Sequence, residues 1–364
     1  MYSFILPLFL LTIPVIPIGA LDCQQIQSSQ IFDGSLVYLP GNSSSVVPLP
    51  ANFNCIYKIP APLNSTYGFY VSLTLISQLN GANDYITVTD TVGEKTTLTS
   101  RNKGPSHYYV LPGREVYIQV VTKSVLMNSM ISITAKYHRA QFGPEIRMRR
   151  DEKMNFVPLG DLRDSSWYSR KYSSSVTYIG DEQIFMTVAT AGVSSPASFL
   201  SECYVIDGTF YDQKSVHRLY DFVYYHSFIT TSNTITIASF QDEFSLDQGV
   251  VLNTLSEASQ YNKLISTATN DVQKIDMTFE MRNTEKGAVE VVDFESNPIT
   301  MLSLNIESYT CNAVVVEEAP NNSSRVVLDL TKAQRLMPYT FNLTRFSIIA
   351  DPCSLRFSVL SNFR

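Results

Sequence analysis

The sequence predicts an all-β protein made of antiparallel β-sandwiches in tandem. Its composition is the first observation: only 16% of the 364 residues are charged, whereas the chain contains 21 Tyr and 20 Phe. Low charge with many Tyr, Val, Ile and Thr favours pleated strands over helical bundles. The second observation is a series of short apolar runs separated by Pro, Asn and Gly, which is how antiparallel strands are punctuated. The length suggests two or three domains.

Three such runs lie between Asn54 and Asp90, namely Cys55–Ile59, Phe69–Ile76 and Tyr85–Val88. In the second run, apolar and polar side chains alternate. Alternation with a period of two predicts a strand with one face in a core. Further strands are predicted before this stretch, around the turn at 41–45, and after it, around the tight turn at 112–113.

The order of these runs resembles the CUB domain, and especially the CUB-like group of secreted nematode proteins. The motifs N-C-x-Y-x-I, V-x-L and D-Y-x-x-V-x-D carry the resemblance, over about residues 23–138. The matching positions are Asn54, Cys55, Tyr57, Ile59, Val71, Leu73, Asp84, Tyr85, Val88 and Asp90. The resemblance implies a jelly-roll sandwich, a disulfide between Cys23 and Cys55, and an interaction function in innate immune defence.

The sequence departs from ordinary CUB domains around Asp84. No second cysteine pair brackets this residue, and Ser77 and Gln78 stand where an upstream acidic residue is expected. Calcium is normally bound by several hard oxygen ligands, including more than one carboxylate. We therefore expect neither a metal site nor a cofactor.

Residues 1–20 read as a secretory signal peptide. They contain no charge, and a long apolar run from Phe4 to Ile18 is followed by the small residues Gly19 and Ala20. We expect cleavage after Ala20 and an extracellular protein. No other stretch approaches the roughly 20 apolar residues of a membrane span, so no stable membrane insertion is expected.

Five cysteines follow the predicted cleavage site. In an oxidising compartment most should be paired, and two disulfides among five cysteines can be drawn in 15 ways, from five choices of the odd residue times three pairings. The resemblance favours Cys23–Cys55. Proximity in sequence favours Cys311–Cys353 and leaves Cys203 as the odd residue, but the pattern by itself leaves the connectivity open.

The chain divides into predicted segments by composition and strand pattern. Residues 21–140 form the CUB-like domain, and 141–155 form a basic linker that contains the densest charge run. A divergent β domain at 156–268 follows, in which Ser201–Thr209 echoes the D-Y motif and suggests a second, degenerate CUB-like module. Residues 269–364 are a C-terminal β region, either a third unit or a continuation of the second.

The search for catalytic chemistry finds only weak patterns. The four histidines lie in no metalloprotease motif, and no nucleophile elbow or phosphate-binding loop is present. Asp84 with Asp90 could act as acid and base, and Cys203 with His217 could supply a thiol nucleophile. Trp167 could stack on a sugar. Structural roles are favoured in each case, and we expect no catalytic residue and no enzyme.

Two modification patterns are clearer. Asn-x-Ser/Thr acceptors for N-glycosylation predict a glycosylated surface. They are Asn42, Asn64, Asn321, Asn322 and Asn342. The run Arg147, Arg149 and Arg150 matches a proprotein convertase site, although a solvated charge run is the favoured reading.

These observations favour a secreted, glycosylated interaction protein that is not an enzyme. The net charge of −6 lacks the electrostatic footprint of a nucleic-acid-binding protein. It also argues against anionic surfaces, so a protein or a neutral glycan is the expected partner. A matrix-associated structural component is the alternative, and a secreted hydrolase is the third hypothesis.

Overall fold

The computed structural model describes residues 23–102, 104–124, 128–148, 153–162, 173–191, 197–223, 226–240, 248–270, 274–281, 285–307, 311–321 and 323–361. The predicted signal peptide, Arg149, Arg150, Trp167 and Asn322 lie outside these ranges. The described residues form three consecutive β-sandwiches of two sheets each. The all-β prediction is therefore confirmed.

The first sandwich consists of β1 (Leu36–Leu39), β2 (Val47–Pro48), β3 (Asn54–Pro60), β4 (Phe69–Gln78), β5 (Tyr85–Thr89), β6 (Lys95–Leu98), β7 (Gly104–Val110), β8 (Glu115–Val121) and β9 (Met130–Arg139). One sheet has the order β1-β9-β4-β7, with β2 also paired to β9, and the other has the order β3-β8-β5-β6. In β4, Val71, Leu73 and Leu75 are buried, while Ser72 and Thr74 between them are half-buried. Alternation thus places one face of β4 in the core between the two sheets.

The second sandwich consists of β10 (Glu145–Arg147), β11 (Asn155–Pro158), β12 (Ser175–Ile179), β13 (Ile184–Thr190), β14 (Cys203–Thr209), β15 (Asp212–Arg218), β16 (Ser227–Ile229), β17 (Thr234–Ser239) and β18 (Gln248–Thr254). Its sheets have the orders β10-β12-β17-β14-β15 and β11-β18-β13-β16. Every residue of β18 is buried, because one face of the strand lies in this core and the other faces the third sandwich.

The third sandwich consists of β19 (Lys263–Thr269), β20 (Ile275–Phe279), β21 (Gly287–Asp293), β22 (Ile299–Ile306), β23 (Asn312–Glu317), β24 (Val326–Asp329), β25 (Tyr339–Thr340), β26 (Arg345–Asp351) and β27 (Leu355–Ser361). Its sheets have the orders β19-β21-β26-β23-β24 and β20-β27-β22-β25. Pairing is antiparallel throughout the three sandwiches except for β10 with β12 and β19 with β21, which are parallel.

Helical structure is confined to short turns in the described ranges. These are α1 (Ala197–Leu200), α2 (Leu255–Ala258), α3 (Leu330–Ala333) and 3₁₀ turns at Ser28–Gln30, Leu159–Asp161, Leu219–Phe222 and Gln334–Leu336. No helix within the described part of the chain is long and apolar enough to cross a membrane.

The strands depart from the predicted segment bounds at two places. The predicted linker 141–155 contains β10, which extends the second sandwich by pairing with β12. All three residues of β10 are exposed, whereas the next residue, Met148, is buried. Strand β19 lies within the segment 156–268 but pairs with β21 of the third sandwich, so strand pairing moves that boundary towards the N-terminus.

Candidate binding site

Asp84 is a structural carboxylate rather than a candidate acid or metal ligand. Its Oδ1 accepts hydrogen bonds from the backbone N–H groups of Lys123 and Ser124 at 2.8 and 3.1 Å, and its Oδ2 accepts one from the Ser129 hydroxyl at 2.6 Å. Burial raises the pKa of Asp84, but the hydrogen bonds from Ser129, Lys123 and Ser124 outweigh it, so the pKa lies below its ordinary value. The carboxylate therefore ties β5 to the β8–β9 connection.

Asp90 is engaged elsewhere, so the two aspartates form no acid–base pair. Its Oδ1 accepts hydrogen bonds from the backbone N–H groups of Val92 and Glu94, and its Oδ2 accepts one from the guanidinium of Arg218 in the second sandwich. No cluster of three or more His, Cys, Asp or Glu side chains suited to a metal ion occurs among the residues described.

Cys203 and His217 also do not form a reactive pair. Cys203 is fully buried, and burial raises the pKa of its thiol to about 12, which keeps it protonated at neutral pH. A nucleophilic cysteine is normally exposed and has a lowered pKa. The Nε2 of His217 lies 3.0 Å from the Ser215 hydroxyl. The structural reading of Cys203 is therefore the better supported one.

The other four cysteines form two disulfides. Cys23 is joined to Cys55 with their Cα atoms 5.4 Å apart, and Cys311 is joined to Cys353 with a Cα separation of 4.9 Å. Of the pairings that the sequence left open, the structure thus contains one that the resemblance favoured and one that sequence proximity favoured. Cys203 lies outside both bridges.

The predicted glycosylation sites differ in exposure. Asn42, Asn64 and Asn342 are exposed. At Asn64, Oδ1 accepts hydrogen bonds from the backbone and hydroxyl groups of Thr66, both at 2.9 Å. Asn321 is only 7% exposed, and its Oδ1 accepts a hydrogen bond from the Ser323 hydroxyl at 2.7 Å. Arg147, the described member of the predicted cleavage run, lies in the exposed strand β10.

The candidate binding site is a cleft at one open side of the first sandwich, with a volume of about 570 Å³. We call it the glutamine cleft. Its wall consists of all four residues of β1, the exposed Asn42 and residues of the segment 24–30. The four glutamines in that segment are Gln24, Gln25, Gln27 and Gln30.

The segment 24–30 is held across the sandwich by three attachments. The Cys23–Cys55 disulfide fixes its start to β3, and the side-chain amide of Gln25 donates a hydrogen bond to the Ile56 carbonyl at 3.4 Å. Ile26 and Ile31 pack against the core of the first sandwich. Because β1 and β3 are the outer strands of different sheets, this segment stands as a fixed wall opposite β1.

None of the described residues that line the glutamine cleft is charged. Each glutamine amide offers two N–H donors and a carbonyl acceptor, so the wall can bind groups that both donate and accept hydrogen bonds. Peptide bonds and sugar hydroxyls have this property. The cleft can therefore recognise a neutral polar ligand.

The sequence reading missed this site. Four glutamines and two serines between 24 and 30 were the visible signal, but the segment lies between Cys23 and Asn54, where no residue of the CUB-like motifs falls. A glutamine-rich segment is ordinarily an exposed loop, and its role here depends on the disulfide and on β1.

The comparisons with known proteins agree with the architecture of the first sandwich. Residues 19–139 match the CUB-like domain. The match covers about a third of the chain, and it confirms the CUB-like resemblance over that part. A CUB-like domain is an extracellular-type interaction domain, and CUB domains are in general binding modules without catalytic activity. No curated protein matches this chain.

Solved structures give weaker similarities. The CUB1-EGF-CUB2 domains of rat MASP-1 share 10% identity, with 64% of this chain and 100% of that chain covered and a TM-score of 0.22. The corresponding human MASP-1/3 domain shares 11% identity, with 60% and 98% covered and a TM-score of 0.21. A protein of Sulfolobus Turreted Icosahedral Virus shares 10% identity, with 88% and 86% covered and a TM-score of 0.21. With scores this low, function has to be argued from the residues of this chain.

Proposed function

We propose that this protein is a secreted, glycosylated, non-enzymatic interaction protein that binds a neutral partner in the glutamine cleft. The observation that carries the proposal is the absence of charge among the described residues that line the cleft. As the resemblance to nematode CUB-like proteins implies, we place this binding in innate immune defence against microbes.

The chemistry of the cleft supports an uncharged partner. A charged ligand that left water for this cleft would find no opposite charge to offset the cost of its desolvation. Amide groups can instead exchange their hydrogen bonds to water for hydrogen bonds to a neutral ligand, with a net gain of about 1 kcal/mol each. The expected partner is therefore an uncharged protein segment or a neutral glycan.

The test is a binding panel of neutral glycans and extracellular proteins, probed with the purified protein at low and high salt. We expect saturable binding that changes little with salt, because screening acts on charge–charge interactions. Gln24→Ala should weaken binding about fivefold, the equivalent of one hydrogen bond of about 1 kcal/mol.

The matched control is Gln334→Ala, which removes an exposed glutamine from the third sandwich. It should leave binding unchanged. Binding that is lost at high salt, or that Gln24→Ala and Gln334→Ala affect equally, would remove the glutamine cleft from consideration. Each measurement should be repeated with Asn42→Gln, since a glycan at Asn42 would stand at the cleft.

Glycosylation can be tested separately on secreted material. Removal of N-glycans should shift the protein to lower apparent mass, and Asn64→Gln and Asn342→Gln should each lose part of that shift, because both side chains are exposed. Asn321→Gln should lose none, because that side chain is buried and hydrogen-bonded to Ser323. A wild-type protein without any shift would contradict the glycosylated surface.

A further inference from the structure

Strand β1 presents its edge to the glutamine cleft. Successive side chains of a strand point to opposite faces of a sheet, so a cleft over one face would touch only alternate residues. Leu36, Val37, Tyr38 and Leu39 all line the cleft. The cleft therefore runs along the side of β1, where the backbone N–H and C=O groups lie, and β1 is an outer strand of its sheet.

The hydrogen bonds at the start of β1 identify which backbone groups face the cleft. The N–H of Gly34 donates to the Tyr137 carbonyl, and the N–H of Tyr137 donates to the Ser35 carbonyl, both at 2.9 Å. Gly34 has a φ of +78°, so these residues form a bulge in which Gly34 and Ser35 together oppose Tyr137. Hydrogen-bonded pairs then recur at every second residue along an antiparallel ladder.

The register of this ladder continues the pattern. Val37 is opposite Ala135 and Leu39 is opposite Ile133, and these are the positions that bond to β9. The backbone groups of Leu36 and Tyr38 consequently point away from β9, towards the cleft. Outside the β1–β9 ladder, no described residue hydrogen-bonds the backbone of Leu36 or Tyr38.

The other sheet edges of this protein are protected against further pairing. Proteins commonly place Lys, other charges or Pro on outer strands, because an open edge is a template for another strand. Among the described outer strands of four or more residues, every one but β1 contains a charged residue or a proline. Examples are Lys58 and Pro60 in β3, Lys95 in β6 and Pro105 in β7. The sequence of β1, Leu-Val-Tyr-Leu, has neither.

We propose that the glutamine cleft takes an extended, uncharged peptide segment of a partner protein, which adds to β1 as a new outer strand. The inference rests on the proposed function and names the partner class for the same site. About four residues of the partner, roughly 13 Å of extended chain, would pair with β1. Main-chain hydrogen bonds to Leu36 and Tyr38 would supply affinity, and the glutamine wall would contact the partner's polar groups.

The probe is a fluorescent, end-capped peptide with the sequence of residues 130–135. These residues form part of β9, the strand with which β1 already pairs. We expect saturable binding to the whole protein, followed by fluorescence anisotropy. A peptide with the same side chains and N-methylated amides should bind at least tenfold more weakly, because it lacks the donors for strand pairing. This comparison uses unaltered protein, so it does not depend on the folding of a variant.

Two protein variants at Tyr38 distinguish the contribution of its backbone N–H to binding from that of its side chain. Tyr38→Pro removes an N–H that points to the cleft and breaks no bond to β9, so proline is tolerated there as on other edge strands. It should weaken binding at least tenfold relative to Tyr38→Ala, which keeps the N–H. Unfolding curves of both variants check that the sandwich is intact.

The outcomes distinguish this inference from the proposed function. Equal binding of the peptide and its N-methylated form, or of Tyr38→Pro and Tyr38→Ala, would overturn strand addition. The proposed function would survive that result if Gln24→Ala still weakened the binding of a neutral ligand. Self-association of the wild type that Tyr38→Pro abolishes would also overturn the proposal, because the occupant would then be a second copy of this chain.

Discussion

Carboxylates are buried at both junctions between neighbouring sandwiches, but the groups that bind them differ. Between the first and second sandwiches, Asp90 on one side contacts the guanidinium of Arg218 on the other. A second nitrogen of Arg218 donates to the carbonyl of Ser201. Aromatic packing surrounds this ion pair, with the ring centroids of Tyr70 and Phe240 4.6 Å apart across the junction.

The junction between the second and third sandwiches contains a carboxylate held by neutral donors. Glu290 in β21 is fully buried, and its Oε1 and Oε2 accept hydrogen bonds from the Asn253 amide at 3.0 Å and the Ser266 hydroxyl at 2.8 Å. Burial raises the pKa of Glu290 to about 7. Asn253 lies in β18 and Ser266 in β19, so one carboxyl group links strands of both sandwiches.

The comparison shows how the choice of partner sets the response to pH and mutation. A neighbouring cation stabilises the ionised form of a buried carboxylate. Removal of that cation is costly, because the carboxylate is then a buried charge without a partner. Neutral donors stabilise the charge less, so the carboxyl group can take up a proton near neutral pH. We therefore expect the Asp90 contact to be sensitive to loss of its cation and the Glu290 contact to be sensitive to pH.

The largest expected effect is that of Arg218→Leu. It leaves the carboxylate of Asp90, which is 7% exposed, without its cation, and should lower the free energy of unfolding by about 4 kcal/mol. Guanidinium denaturation measures this loss. Lys58→Met is the matched control, since Lys58 pairs with Glu115 on an exposed surface and such pairs contribute about 0–1 kcal/mol. Equal losses for the two variants would remove the distinction between a buried and an exposed pair.

The second effect concerns pH and Glu290. Because burial raises its pKa from the ordinary 4.5 to about 7, the folded state binds a proton more tightly than the unfolded chain does. The resulting stabilisation is complete below pH 4.5 and is lost as the pH rises through 7. At about 1.4 kcal/mol for each pKa unit, the loss is at most about 3.5 kcal/mol.

Glu290→Gln should remove this dependence. The stability of the variant minus that of the wild type should therefore be larger at pH 8 than at pH 5. Unfolding curves at both values measure the difference. Glu202 has the same direction of shift, since burial raises its pKa to about 7, and it remains in the variant. Gln334→Ala changes an exposed side chain of the third sandwich that does not titrate and should leave the slope as it is. A Glu290→Gln protein with the wild-type slope would contradict the assignment.

The smallest effect is expected for Ser266→Ala, which removes one hydrogen bond to Glu290 and one with the Thr187 hydroxyl. At about 1 kcal/mol for each bond, the loss should be about 2 kcal/mol at pH 8 and smaller at pH 5, where the protonated carboxyl group depends less on a donor. Ser303→Ala is a useful comparison, because Ser303 contacts the Ser358 hydroxyl away from this junction. Its cost should be independent of pH, and a similar pH independence for Ser266→Ala would speak against an ionised Glu290 at pH 8.

Local sequence patterns were sufficient to predict the strands and the first fold. The alternation in β4 appears directly in the chain because a sheet with one buried face requires it. The motif around Cys55 and Tyr57 predicted a CUB-like domain over about residues 23–138, and the family match covers 19–139. Both residues carry this signal because they lie in the core of the first sandwich. Charge composition was a poorer guide: the run within 141–155 indicated exposure, but an exposed segment can still pair through its backbone, as β10 does.

The sequence by itself determined the class of fold, the CUB-like start of the chain and the low-charge, Tyr-rich character of the protein, because these depend on composition and on neighbours within a few residues. Tertiary structure alone decided the glutamine cleft and the junctions. Asp90 and Arg218 are 128 residues apart, and the glutamine cleft exists because a disulfide holds Cys23 beside Cys55 and leaves the edge of β1 open. Such contacts join residues that share no local pattern, so only the packing of whole sheets brings them together.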